Sequence, residues 1–131
     1  MVCHLSDSYL GVMGLRPIKP AGTWVTRNVL RLAALRLPVP WPRGTPTMPE
    51  VDQLKFGTPP ADFELDRARL EQLIGRFSQP AAQRDFVFAP HPVFGEMNDW
   101  EWMRWGYLHA DHHLRQFGDA TLLALSSSIP R

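Results

Sequence analysis

A single cysteine, Cys3, means that no intramolecular disulfide can brace this chain. That suits a reducing compartment. No apolar stretch is long enough to span a bilayer, and no basic N-terminal region leads into an apolar run. A formal net charge of +1 gives no global attraction to nucleic acid. There is no internal repeat, no phosphate-cradling glycine loop, no zinc-finger cysteine spacing and no nucleophile elbow. An obvious carboxylate pair or acid–base dyad is missing too, so no reaction is specified that way. These absences predict a soluble, cytoplasmic protein without nucleic-acid or membrane partners.

What is present argues for a packed fold. The length of 131 residues suits one domain with one core. A hydrophobic fraction of 44% and five tryptophans outweigh the thirteen prolines as evidence against disorder. Val2, Leu5, Tyr9, Val12 and Met13 fall at helical spacing, with Gly14 and Pro17 to stop the helix. Thr23 is a candidate N-cap for a second helix over 24–37, ended by Pro38 and Pro40. Its Arg27, Arg31 and Arg36 read as a solvated face. Residues 38–60 then carry seven prolines. That stretch predicts a long loop, anchored through Trp41, Met48, Val51, Leu54 and Phe56.

A third helix fits Ala61 to Phe77, with Phe63, Leu70, Leu73, Ile74 and Phe77 as its apolar stripe. A connection over 78–97 includes Phe86 and Phe88, which alternate with their neighbours like a brief extended piece. Asn98 followed by Glu101 makes a capping box that opens a fourth helix, and Gly118 closes it. The sum is an all-α, four-helix bundle over residues 1–118, followed by a tail over 119–131.

The chemistry sits in the fourth helix. Histidines four apart, His109 and His113, return to one helical face and can reach a single point in space. If His4 arrives from a neighbouring helix, three imidazoles could make an open metal site with a position left for water or substrate. Buried histidines bonded to backbone or carboxylate would explain the same letters. His112 is open to three roles: support to a neighbouring ligand, a surface residue or an alternative ligand. His91, between Pro90 and Pro92, reads as a loop residue, and Cys3 as a small buried side chain. Trp102 and Trp105 could shape an apolar pocket near the imidazoles.

Three stretches, VCHLSDSYLGVMG, LPVPWPRGTPTMPEVDQL and HPVFGEMNDWEWMRWGYLHADHHLRQFG, resemble the DinB-like superfamily, and more closely its branch of small bacterial proteins of unknown function. The resemblance covers most of residues 1–118. It implies a four-helix bundle and a divalent metal held by His4, His109 and His113, with zinc or nickel favoured and iron or copper also compatible with three imidazoles. Some members of the superfamily are thiol transferases that use bacillithiol, mycothiol or glutathione. The resemblance therefore suggests a metal-dependent thiol S-transferase with a small thiol and an electrophilic substrate as partners. The alternative is a non-enzymatic structural or interaction module with core histidines. Relatives usually carry a helix ahead of the segment that matches His4, and this chain starts three residues before it. That departure suggests a shortened N-terminus and predicts either a homodimer or a marginally stable chain.

Overall fold

A computed structural model describes the backbone of residues 1–127 and the side chains of residues 1–118. Among them are four α-helices and no strand: α1 (Val2–Val12), α2 (Arg31–Arg36), α3 (Phe63–Phe77) and α4 (Asp99–Ser127). The protein is an all-α bundle. A π-turn at Thr26–Leu30 runs directly into α2, so the second helical rod begins near Trp24. Its start is capped as expected, because the Thr23 hydroxyl accepts from the Thr26 amide at 3.3 Å.

The core forms where α1, α3 and the first half of α4 meet. Leu5, Tyr9, Val12 and Met13 from α1 and its end pack with Leu70, Leu73 and Phe77 from α3 and with Trp102 and Trp105 from α4. The Tyr9 hydroxyl donates to the Gly106 carbonyl at 2.9 Å, fixing α1 against α4. Gly106 is needed there because a Cβ would stand 2.5 Å from the Phe77 ring. The capping box is present with both reciprocal bonds at 3.0 Å, Asn98 amide to Glu101 and Glu101 amide to Asn98.

Several local expectations are revised. α4 runs through Gly118 to Ser127, so that glycine does not end it. The remainder of the expected tail, from 128 on, and all side chains from 119 on lie outside the described residues. Within the 38–60 loop, Val51 is buried and Trp41 and Met48 are half-buried, whereas Leu54 and Phe56 point into solvent. Phe86 and Phe88 do alternate in burial with the exposed Val87, but they form no strand.

The second helical rod keeps Arg27 and Arg36 exposed, as a solvated face requires, while Arg31 turns partly inward. Arg31 approaches Glu101 at 3.6 Å and donates to the Glu96 carbonyl. Arg36 lies over the Trp100 ring, 5.6 Å from its centroid. Trp24, Val25 and Val29 are exposed as well. Polar ties to the start of α4 and to the turn before it have won over apolar burial. Thr26 adds another, donating to the Val93 carbonyl at 2.9 Å.

A network that no local pattern announces pins the proline-rich loop to α1. Asp7 is fully buried, and its carboxylate accepts from the Thr58 amide at 2.6 Å, the Thr58 hydroxyl at 2.8 Å and Arg16 at 3.1 Å. Arg16 also donates to the Glu50 and Phe56 carbonyls. A buried charge is tolerated when its lone pairs are met in this way.

Candidate functional site

α1 carries His4 to the middle of α4, where His109 and His113 lie. Ring centroids lie 5.5 Å apart for His4 and His109, 4.7 Å for His4 and His113, and 4.9 Å for His109 and His113. One nitrogen from each ring falls within 4.8 Å of the other two. The three residues singled out in the sequence thus converge on one point, and His112 is not in that cluster.

Hydrogen bonds set which nitrogen faces the shared point. His4 Nδ1 lies 2.9 Å from the Val51 carbonyl, which can only accept, so the proton is on Nδ1 and the Nε2 lone pair is free. His113 Nδ1 lies 3.1 Å from Gln116 Oε1, which fixes the same tautomer. Gln116 then turns its amide nitrogen to His112 Nε2 at 3.2 Å, occupying that lone pair. Of the three roles open to His112, support through Gln116 is the one its contacts show. His113 Nε2 stands 3.2 Å from His109 Nε2 and accepts from it. His109 Nδ1 is enclosed without a partner.

All three rings are held toward the neutral form. Burial lowers the His4 pKa below 6.5, with the Val51 carbonyl opposing the shift. Burial pushes His109 well below 6.5, and the surrounding imidazoles push in the same direction. His113 is lowered to about 4, by burial first and by the other imidazoles after it. Neutral imidazole is the form that ligates a metal.

The cluster floors a pocket of about 420 Å³. Its walls are Val12 and Ile18 on one side, Leu30 and Leu37 on another, and Val93 and Trp105 beneath. The proline-rich loop crosses it at Trp41, whose indole N–H donates to the Ala34 carbonyl at 2.9 Å. That ring lies 6.2 Å from His109 and 6.1 Å from His112. Trp105 reaches the pocket and lies 4.8 Å from His109, whereas Trp102 lies in the core behind it.

His91 is the wall residue that sequence reasoning missed. It remains in a loop, but a tight one: its amide and carbonyl pair with Gly95 at 2.9 and 2.8 Å, and Gly95 takes φ +73°. His91 Nδ1 accepts from the Val93 and Phe94 amides, both at 3.1 Å, and burial lowers its pKa to about 3. Its side chain is therefore spent on the turn. The signal available beforehand was the H-P-V-F-G run, whose glycine permits the left-handed residue that such a turn needs. Cys3 is buried, as expected, and burial raises its thiol pKa, with Asp66 adding to the shift.

The fold and site define a helical bundle with a histidine-floored pocket. The chain belongs to the family described as "Protein of unknown function (DUF1569)", whose model matches residues 3–120. No curated protein and no solved structure matches it. No helix among the described residues is long and apolar enough to cross a membrane.

Proposed function

We propose that the protein binds a divalent metal through His4, His109 and His113 and works on a small molecule in the adjoining pocket. The observation that carries this reading is the convergence of three neutral imidazole nitrogens within 4.8 Å at the floor of that pocket. Two nitrogens on one tetrahedral metal at about 2.0–2.1 Å stand roughly 3.3 Å apart. The His109–His113 separation of 3.2 Å fits that spacing. Val51 and Gln116 already hold two rings with the proton on Nδ1 and the Nε2 lone pair turned to the shared point, the support that ligating histidines commonly have. His109 would release its Nε2 proton on binding and carry one on the enclosed Nδ1.

The resemblance to the DinB-like superfamily supports the same three residues and suggests metal-dependent thiol S-transfer as the activity. Zinc or nickel would suit the imidazole set, and such an ion favours a thiolate over a thiol near neutral pH. In that reading this chain's own groups have defined tasks. His4 and His113 present fixed lone pairs, Gln116 orients His113, and Trp41 and Trp105 keep water from the floor of the pocket.

Elemental analysis tests this on protein purified without a metal-affinity column, beside a His109→Ala, His113→Ala double variant. Near-stoichiometric metal in the parent and none in the variant is the expected result. Equal metal in both would remove the assignment.

One contact favours a second reading, a non-enzymatic module with core histidines. The His109–His113 hydrogen bond partners both Nε2 atoms without any ion. A thermal midpoint unchanged by chelation, in protein that purifies without metal, would support it.

A further inference from the structure

We infer that the pocket above the three histidines takes a neutral, mainly apolar small molecule with one polar end, and rejects ligands with charged heads. The inference deepens the reading above and rests on it only for where the polar end sits.

The charge content of the walls carries the inference. Among the described residues, no lysine, arginine, aspartate or glutamate lines the 420 Å³ pocket. Its polarity is concentrated at the imidazole floor, with the Ser8, Thr45 and Thr47 hydroxyls as further polar groups in the lining. The body of the pocket offers Val12, Ile18, Leu30, Leu37 and Val93. In the body of the pocket, away from the imidazole floor, a carboxylate or ammonium would lose its hydration and find no counter-charge among the described side chains. The volume lies within the roughly 300–1,000 Å³ typical of small-ligand sites.

A neighbouring pocket of about 270 Å³ sharpens the contrast. It shares Leu37, Val39, Trp41 and His112 with the first, yet it contains Arg104, Asp111 and Arg115. These charges are already engaged, Arg115 with Asp111 at 2.9 Å and Arg104 with the Leu35 carbonyl at 3.2 Å. They lie outside the walls of the larger pocket, so a charged thiol such as glutathione has no cationic or anionic partner within it. A thiol or alcohol on an aromatic or alkyl body matches both ends.

The test uses N-phenyl-1-naphthylamine, a neutral fluorescent probe, titrated into the full chain. One saturable site per chain is expected. Phenylmethanethiol should displace the probe, and glutathione at the same concentration should not. Leu30→Glu and Val39→Lys each place a charge on a half-exposed wall position, and each should weaken probe binding at least about tenfold. Circular dichroism on both variants shows that the fold persists, and using two variants guards against loss of either one. Absence of saturable binding, displacement by glutathione as effective as by phenylmethanethiol, or unchanged probe affinity in both folded variants would each overturn the inference. Metal content measured on the same samples separates the two readings. Metal-free protein that binds the probe leaves the ligand class standing and removes only the metal. Metal-loaded protein that takes up no probe does the reverse.

Discussion

α1 and the rod over residues 24–36 both wall the pocket, and they are held by opposite means. α1 buries eight of its eleven residues, including Ser6, Asp7 and Ser8. In α2 only Leu35 is buried, and in the π-turn before it nothing is. One wall is part of the core. The other is suspended from α4 and the His91–Gly95 turn by Arg31, by Thr26 and by the Arg104 bond to the Leu35 carbonyl. The imidazole end therefore shares the stability of the whole domain, while the apolar wall depends on a few polar ties. A rigid donor set beside a less firmly held wall suits a site with fixed chemistry and an adjustable ligand body.

Breaking the core side should cost most. Asp7→Ala would leave Arg16 facing a vanished charge and free the Thr58 amide, at about 3–5 kcal/mol in urea denaturation. Leu5→Ala should cost about 2–5 kcal/mol by the same measurement. Its counterpart on the suspended rod, Val25→Ala, should stay within about 0.5 kcal/mol, because that side chain is more than half exposed. Near-equal losses for the two truncations would erase the contrast between the walls. Gly106→Ala comes next, at about 1–3 kcal/mol, since the added methyl forces Phe77 aside.

Acidification should act on the imidazole end. His91 and His113 are neutral in the fold down to about pH 3 and pH 4, whereas in the unfolded chain they take up protons near 6.5. The unfolded state then binds more protons, so stability is complete above about pH 6.5 and falls as pH drops toward 4. Urea midpoints of metal-free protein should decline between pH 7 and pH 5. A flat profile would mean that these rings are not held neutral. The smallest effect is expected at the loop: Leu54→Ser should leave the midpoint unchanged within about 0.5 kcal/mol, given 94% exposure.

What the sequence disclosed follows from the reach of each signal. The Asn98–Glu101 box and the His109–His113 pair span three and four residues, so helical geometry alone places them, and both are found as expected. His4 was legible only as a conditional third imidazole, which the resemblance supported, and its arrival depended on how α1 packs against α4. The Asp7–Thr58 bonds join positions 51 apart and leave no periodic trace. Arg27 and Arg36 stay exposed as amphipathic patterning expects, and Arg31 departs from it because Glu101 and the Glu96 carbonyl draw it inward. The pair His91 and Pro92 looked like loop punctuation, and only the turn geometry reveals a buried ring.

His4 and Asp7 stand one helical turn apart on α1, and both grip the same stretch of loop, His4 at Val51 and Asp7 at Thr58. The register of α1 is therefore a code shared by two jobs. Inserting a single residue between them would swing one about 100° away from the other, sacrificing either the imidazole or the clasp. The same two grips should make residues 51–58 resist proteases while residues 42–47, exposed throughout, are cut first.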